Sequence, residues 1–326
     1  MREKEQGVAL VLVLLIFSIM TVLSARLVTD VQHNAARITR YTQNLQARHY
    51  AMGAEQFAAV LLEEDVAQDR STQRLVDHLH ESWALPQPQF ETESGDIELV
   101  ILDDQGRFNL NMLADPADKR RKEALQMLVR LLDAQGLDVR LAYRIQDWVD
   151  GDQIALTSGA EDAVYIHSSP PHRTADTALA SVSELRLMDV LSPEEFERLL
   201  PLVSVLPTSD GININTASAD VLRALSRRIS QGDAESFVDG RGKAGFSRTR
   251  DALRHPALSG RVASSVADHL GVTSRFFSVY IKARYQDSVY YLHSRLARTA
   301  TGQVTVIARE TGSFPRWVRT RQGPEG

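Results

Sequence analysis

The stretch that decides the fold is Val8-Ala-Leu-Val-Leu-Val-Leu-Leu-Ile-Phe-Ser-Ile-Met-Thr-Val-Leu-Ser-Ala25, an apolar run without a charged residue. As an α-helix it is long enough to cross most of the hydrocarbon core of a bilayer. The run therefore predicts a membrane anchor, with nearly everything after Arg26 on one side of the membrane. In the short leader before it, Arg2 and Lys4 favour a cytoplasmic N-terminus.

The helical pattern continues beyond the apolar run. Apolar residues recur at steps of three, four or seven, as on one face of a helix, at Val28, Val31, Ala35, Ile38, Leu45 and Met52. The first proline of the chain is Pro86. We therefore predict one long helix, buried in lipid at its start and amphipathic afterwards. This continuity argues against a cleaved secretory signal, whose cleavage site follows its apolar stretch.

Composition excludes several classes of protein. The 326 residues with 43% hydrophobic content indicate two or three globular units. The net charge of -5 provides no overall attraction to nucleic acid. Because the chain has no cysteine, it has no disulfide, no thiolate metal site and no cysteine nucleophile. The nine histidines are scattered and form no recognisable grouping with Ser and an acid, so we predict that the protein is not an enzyme.

Beyond the long helix, the pattern alternates between strands and helices. Residues 96–102 read as a strand, and residues 120–135, 138–148 and those after Ser192 read as helices. Three further β-rich runs, 275–284, 288–296 and 303–309, are separated by turns and predict an antiparallel meander. The long helix and the early and late strands would form one unit, with the helical middle inserted in it.

The middle of the chain contains a weak internal repeat, Phe108-Asn-Leu-Asn-Met-Leu and Ile212-Asn-Ile-Asn-Thr-Ala, which suggests two related helical subdomains. The Asn-Thr-Ala sequence with which the second subdomain begins also resembles the start of helix-hairpin-helix and other SAM-like domains, which raises DNA binding as an alternative. The glycine hairpin that grips phosphate in such domains is missing after Leu225, and acidic residues lie among the basic ones that follow. We therefore predict no nucleic-acid partner.

The best candidate for chemistry is an acidic stretch with five carboxylates around Gly151 and Gly159, namely Asp147, Asp150, Asp152, Glu161 and Asp162. Gathered carboxylates repel unless they are protonated, exposed or bridged by a cation. Oxygen ligands on a flexible loop favour Ca²⁺ over Zn²⁺, although the spacing is not that of an EF-hand. From the residues alone, a solvated acidic loop and a calcium site both remain open.

A polar leader that ends in glycine before a long apolar helix resembles the prepilins of type IV pili and type II secretion systems. In that family a membrane peptidase cuts after the glycine, which here implies a cut between Gly7 and Val8. The usual glutamate at the fifth mature position is replaced by Leu12, as in the K-type minor pseudopilins (GspK). Segments similar to that family follow in its order and include residues 48–56, 104–111, 147–152, 159–162, 179–186 and 212–217.

The resemblance implies an α+β fold, with a pilin-like long N-terminal helix packed on an antiparallel sheet and a large, mostly helical, SAM-like insertion. It also implies calcium bound in the helical domain by Asp147, Asp150, Asp152, Glu161 and Asp162, to which Asp176 is added. The function implied is that of a minor pseudopilin at the tip of the secretion pseudopilus. There it would nucleate or cap assembly for the export of folded proteins across the outer membrane.

The implied partners are the I-type and J-type minor pseudopilins, the major pseudopilin, the prepilin peptidase, the inner-membrane secretion platform, the membrane and exported proteins. The leader would be cytoplasmic and the globular part periplasmic, on a single-pass anchor in the inner membrane. The alternatives are a minor pilin of a type IV pilus or DNA-uptake system and, with less support, a membrane-anchored DNA-binding module or calcium-dependent enzyme.

The predicted division of the chain has seven parts. They are the leader 1–7, the membrane segment 8–25, the remaining long helix with the first strands 26–107, the first helical subdomain 108–206, the second helical subdomain 207–270, the late strands 271–315 and a flexible tail 316–326.

Overall fold

The computed structural model describes residues 2–207 and 211–319. Its first element, α1 (Arg2–Thr72), confirms the predicted single long helix. Within the described ranges, α1 is the one helix long and apolar enough to cross a membrane. Its apolar side chains from Leu10 to Tyr41 are exposed, and it becomes buried against the rest of the molecule only from Ala47 onward. The helix is therefore a free anchor at one end and a packing element at the other.

The described ranges contain further helices, which follow in chain order: α2 (Asp118–Ala134), α3 (Arg140–Val149), α4 (Asp162–Tyr165), α5 (Pro193–Leu199), α6 (Ala219–Arg223), α7 (Gln231–Gly240), α8 (Thr249–Ala252), α9 (Ser264–Ala267) and α10 (Arg316–Arg319). Short 3-10 turns cover Asp104–Gly106, Leu110–Ala114 and Val182–Met188. The strands are β1 (Phe90–Thr92), β2 (Gly95–Asp103), β3 (Phe108–Asn109), β4 (Val203–Ser204), β5 (Ile212–Asn213), β6 (Leu270–Gly271), β7 (Phe276–Tyr285), β8 (Ser288–Arg298) and β9 (Val304–Thr311).

The main sheet has five antiparallel strands in the order β1-β2-β7-β8-β9. The early strand and the late meander thus join in one sheet, with Leu99 of β2 opposite Ile281 of β7. The insertion between β2 and β7 leaves the sheet and returns to it, as the sequence predicted.

One face of the sheet packs on the second half of α1. The helix presents small buried residues at helical spacing to this interface, namely Ala47, Ala51, Ala54 and Ala58. Small side chains let the helix backbone approach the strands closely. Alternate residues of β7 face the helix, and Phe277 among them contacts Trp83 edge-on with ring centroids 5.1 Å apart. An apolar core therefore holds the second half of α1 against the sheet.

The opposite face of the sheet is covered by the C-terminal segment, and here the structure corrects the sequence. The tail 316–326 was predicted to be flexible, but Arg316–Arg319 forms the helical turn α10. Val318 is fully buried, and the Phe314 ring lies edge-on to Tyr280 at 5.5 Å. Burial of these apolar side chains outweighs the polar character of the segment. The remainder of the predicted tail, 320–326, lies outside the described residues.

The insertion consists of two subdomains with the same local plan. In the first, β3 pairs in parallel with β4, and in the second β5 pairs in parallel with β6. Each subdomain thus begins and ends at neighbouring strands, with its helices between them. Their apolar side chains form one continuous core.

The internal repeat has a physical basis in paired asparagines. The Asn111 side chain accepts from the Leu179 N–H at 2.8 Å and donates to the Leu179 carbonyl at 3.0 Å. Asn215 makes the same two bonds to Phe246, at 2.8 Å and 3.0 Å. In both cases an asparagine side chain completes the backbone pairing of a distant segment. The two Asn-x-Asn patterns therefore occupy equivalent positions in two related subdomains.

Candidate metal centre

The acidic stretch predicted from the sequence lies at the end of α3 and in the irregular loop that leads to α4. Asp147 is in the last turn of α3, Asp150 caps its C-terminus, and Glu161 directly precedes α4. Asp176 lies further along and has a left-handed backbone, with φ of 48°. The loop thus returns to the end of the helix from which it started, and this return brings the carboxylates together.

The centre of the candidate site is a triad of carboxylates. Asp150, Asp152 and Glu161 each offer an oxygen, and these oxygens lie within 4.8 Å of one another. The side chain of Glu161 is only 4% exposed, yet neither of its carboxylate oxygens has a hydrogen-bond partner. One oxygen of Asp150 is also buried without a partner. Buried polar groups are nearly always satisfied, so these orphaned oxygens indicate a position for a cation.

The electrostatics of the triad support the same interpretation. Burial raises the pKa of Glu161 to about 7, and the charges of Asp147, Asp150, Asp176 and Asp152 add to the effect. Burial also raises the pKa of Asp147 to about 6 and shifts that of Asp150 upward. Carboxylates whose negative charge is disfavoured in this way gain stability from a proton or from a bound cation.

Asp147 supports the loop as well as facing the triad. Its carboxylate accepts the N–H of Leu156 at 3.1 and 3.3 Å. Gly159 lies so close that a Cβ placed there would be 1.8 Å from Asp147 Oδ2. Only glycine allows this approach. Asp147 therefore ties both limbs of the loop to α3 and sets the position of the residues that follow.

The two remaining predicted ligands are held by Thr174. Asp162 accepts the Thr174 N–H and hydroxyl, both at 2.9 Å, and lies 3.6 Å from Arg173. The hydroxyl of Thr174 also lies 2.8 Å from Asp176, whose other near neighbour is the amide of Gln153. The structure thus groups Asp150, Asp152 and Glu161, with Asp147 and Asp176 beside them. Asp162 faces Thr174 and Arg173.

A hard divalent cation fits this set of donors. All the available groups are carboxylate or backbone oxygens, which Ca²⁺ prefers, and neither a sulfur nor a histidine belongs to the triad. The site residues lie on loop backbone, which can adjust to the six to eight ligands that calcium takes. The sequence could supply the acidic spacing, but only the fold reveals that Glu161 is buried and unpaired.

A second group of carboxylates was not predicted. Asp65 of α1, Asp77 and Glu81 also bring oxygens within 4.8 Å of one another. Here the cation is already present, because the buried guanidinium of Arg298 donates to Asp65 at 2.9 Å and to Asp77. These residues are too far apart in the sequence for any local spacing to reveal them. The group is a structural joint between α1, the following loop and the sheet.

The joint extends to the second subdomain of the insertion through Asp103. The Asp103 carboxylate accepts the Asn213 amide at 3.1 Å, the Thr216 hydroxyl at 2.5 Å and the Ser274 hydroxyl at 2.6 Å. Asn213 also donates to the carbonyl of Asp77 at 3.1 Å. The first asparagine of the second repeat therefore fixes the insertion to the sheet.

The positions implied by a prepilin leader all fall in α1. Gly7 and Val8 lie in its continuous helical backbone, and the Leu12 side chain is 55% exposed. Leu12 belongs to the charge-free run and is one of its exposed apolar residues.

Two family models match the insertion. Both are described as "Type II secretion system (T2SS), protein K", and they cover residues 106–208 and 212–273. Together they account for about half of the chain, including the acidic loop and both asparagine repeats.

Whole-chain relatives carry the same description. The type II secretion system protein K of Pseudomonas aeruginosa is 36% identical over 96% of this chain and 94% of its own length. That of Klebsiella pneumoniae is 34% identical over 88% of this chain and 92% of its own length. The solved GspK-GspI-GspJ complex from enterotoxigenic Escherichia coli contains a chain that matches with a TM-score of 0.76 and 25% identity. The match covers 85% of this chain and 100% of that one.

Proposed function

Because this chain belongs to the protein K family of the type II secretion system, a family of minor pseudopilins, we propose that it forms the tip of a short pseudopilus. There it nucleates or caps assembly for the export of folded proteins across the outer membrane. The observation that carries this proposal is the likeness of 85% of the chain to GspK in a complex with GspI and GspJ.

The shape of the chain agrees with a terminal position. The long helix ends in a broad globular part, because two helical subdomains are added to the five-stranded sheet. A subunit with this much added volume at one end is hard to accommodate between stacked neighbours, whereas a tip leaves that end open. Leu12 agrees as well. In prepilins the glutamate usual at this position is thought to pair with the N-terminal amine of the subunit above, and an apolar side chain needs no such neighbour.

The membrane arrangement follows from α1. Its apolar segment is a single-pass anchor of a secretion-system component. We place it in the inner membrane with the leader in the cytoplasm and the globular part in the periplasm. Cleavage between Gly7 and Val8 by the prepilin peptidase would then release the helix for extraction into the filament. The I-type and J-type pseudopilins are the immediate partners in this proposal, and the major pseudopilin continues the filament below them.

A calcium ion in the acidic loop completes the proposal. Asp150, Asp152 and Glu161 would bind it directly, with Asp147 and Asp176 beside them. The role is structural, because binding to the folded state alone stabilises that state. The ion would hold a long irregular loop against the end of α3 and thereby give the first subdomain a defined surface.

The test of the tip assignment uses full-length protein in detergent micelles. We expect it to co-purify with the I-type and J-type subunits, and labelled copies to lie at one end of assembled pseudopili. Deletion of the gene should reduce the number of filaments more than their length. Labels distributed along the filament, at a constant ratio to the major subunit, would contradict the proposal. So would retention on duplex DNA without retention of the pseudopilin partners.

A further inference from the structure

A cavity of about 320 Å³ lies between the first subdomain and the face of the main sheet that is turned away from α1. Its floor is formed by β7 and β8 with the end of β4, and its walls by the Val182–Met188 turn and the C-terminal segment. This volume is at the lower end of the range for small-molecule sites. The cavity shares no lining residue with the acidic loop, and the function proposed above does not use it.

The charges in this cavity are unevenly matched. Asp104 lies 3.3 Å from Arg107, and Glu310 lies 3.7 Å from His293, so both acidic groups have a basic neighbour. Two further arginines line the cavity, Arg186 and Arg295, and in the described part of the chain neither forms a direct ion pair, although Arg295, after His293, helps to lower the pKa of Glu310. The cavity therefore carries an excess of positive charge and favours an anionic ligand.

Several buried donors in the cavity wall have nothing to bind. Ser204 is only 3% exposed, and its hydroxyl lacks a hydrogen-bond partner. The Nε of Arg295 is buried and unpaired, while its terminal nitrogens reach the carbonyls of Val205 at 3.1 Å and Ala180 at 3.5 Å. Arg295 is thus held in place by backbone groups, and its Nε–H has no partner. A carboxylate accepts such donors, and charge-assisted hydrogen bonds of this kind are short and strong.

The rest of the wall is aromatic and apolar. Tyr280 lies parallel to the His293 ring with centroids 4.3 Å apart, and the Phe314 ring is edge-on to it. At another part of the wall, the guanidinium of Arg186 lies 4.3 Å over the Phe196 ring. Such surfaces bind flat or branched apolar groups. Because they lie beside the unpaired donors, the cavity suits a ligand with an anionic group at one end and an apolar group at the other.

We propose that this cavity binds a carboxylate carried on an aromatic or aliphatic body, with Arg295 and Ser204 as donors to the carboxylate and Tyr280 and Phe314 against the body. A free organic acid and the C-terminal residue of a polypeptide have this chemistry in common. The cavity opens to solvent, which is compatible with either source.

The test uses the full-length chain in detergent micelles and N-acetyl-L-phenylalanine as the probe, with binding followed by titration calorimetry. N-acetyl-L-phenylalaninamide has the same apolar body without the carboxylate. We expect it to bind at least about tenfold more weakly. A tenfold change in affinity corresponds to about 1.4 kcal/mol, and one charge-assisted hydrogen bond contributes more than this. An octapeptide ending in phenylalanine, with a free or an amidated C-terminus, distinguishes the sources. Binding of the free-acid peptide assigns the site to a polypeptide terminus, and exclusion of the peptide with retention of the probe assigns it to small acids.

Three variants locate the site. Arg295→Gln should lower the affinity for the probe by about tenfold, because it removes a charged donor. Ser204→Ala should lower it by about threefold, because it removes a neutral donor. Arg227→Gln removes an exposed arginine of the second subdomain and should leave binding unchanged. Should Arg295→Gln fail to fold, Arg186→Gln at the exposed rim tests in its place whether positive charge at the cavity contributes to binding of the probe. Equal affinity for acid and amide, no binding of the acid, or an equal loss in Arg227→Gln would overturn the proposal.

Discussion

Arg298 of β8 lies 2.9 Å from Asp65 of α1, with both side chains almost completely buried. The same guanidinium pairs with Asp77 and donates to the carbonyls of Ser274 at 2.9 Å and Leu62 at 3.2 Å. It also lies 4.8 Å over the ring of Phe277. A single cation thus connects the long helix, the loop after it and the sheet, at the point where the insertion joins the rest of the protein.

Replacement of Arg298 by glutamine should therefore destabilise the fold severely. Glutamine keeps some hydrogen bonding but leaves Asp65 and Asp77 buried without a positive charge, and breaking a buried pair in this way costs about 3–5 kcal/mol. Urea unfolding of the full-length protein in micelles measures the loss. Arg227→Gln is the matched control, because its exposed side chain should change the free energy of unfolding by no more than about 0.5 kcal/mol. Similar values for the two variants would show that the buried joint does not stabilise the fold.

The same joint should make stability depend on pH. Burial, with the neighbouring charge of Asp77, raises the pKa of Asp65 from 3.8 to about 7. Between these values the folded state binds more protons than the unfolded state, so the stability that this group supports is lost as pH rises through the window. Each such carboxyl contributes at most about 1.4 kcal/mol per pH unit.

Asp65→Asn isolates this contribution, since the amide oxygen can still accept from Arg298 but no longer titrates. Relative to wild type, the variant should gain stability as pH rises from about 3.8 to about 7 in urea unfolding experiments, and the difference should be constant below and above this window. Asp239→Asn, at an exposed position, should follow the wild-type curve throughout. Parallel curves for Asp65→Asn and wild type would exclude Asp65 as a source of the pH dependence.

In the acidic loop, the effect of Glu161→Gln on the melting temperature should have opposite signs without and with calcium. Without calcium, wild type holds a buried carboxylate that has no partner, and an amide at this position removes its charge, so the variant should melt at a higher temperature. With calcium in excess, the variant lacks a charged ligand and should bind the ion at least about tenfold more weakly, so wild type should melt higher.

Thermal unfolding of the full-length protein in EDTA and in calcium chloride measures both effects. Glu93→Gln, an exposed change outside the loop, should leave the melting temperature unaltered in both solutions. A melting temperature for wild type that does not respond to EDTA or calcium would remove the metal from the proposal.

The contact between Gly159 and Asp147 offers a test within the loop itself. Alanine at 159 would place its Cβ 1.8 Å from Asp147 Oδ2, so the carboxylate or the backbone must move. We expect a loss of about 1–3 kcal/mol in the free energy of unfolding, as for other overpacked sites, together with weaker calcium binding. Gly151→Ala is a closely matched control, because nothing lies within 4 Å of a Cβ at that position. Equal effects of the two substitutions would show that the close approach has no structural importance.

The sequence predicted the elements whose patterns are local. The long helix, the strand before the insertion, the late meander and the capped helix after Ser192 all follow from periodicity and turn residues. The acidic loop was visible for the same reason, since Asp147, Asp150 and Asp152 are close in the chain. The family resemblance then supplied the overall arrangement that periodicity alone does not give.

What the sequence did not predict depends on distant contacts. Asp65 and Arg298 are separated by 233 positions, and neither is unusual among its neighbours. The burial of Val318 is also invisible locally, because it results from the aromatic face around Tyr280 rather than from any pattern in the polar tail. The role of the repeated asparagines was hidden as well, since their partners Leu179 and Phe246 lie in segments without a common motif.

Leu12 provides the sharpest test of the proposed tip position. In prepilins the fifth mature residue is usually a glutamate, which pairs with the N-terminal amine of the subunit above, and Leu12 cannot form this pair. Leu12→Glu should therefore allow some labelled copies to enter the filament below other subunits, where an amine can meet the new carboxylate. Leu15→Glu adds the same charge to the same apolar run at a different depth, and it should lower membrane insertion without producing internal copies. Immunogold labelling of sheared pseudopili distinguishes the two variants. If Leu12→Glu were required for copies to reach the tip, and the native leucine failed, the terminal role of this residue would be wrong.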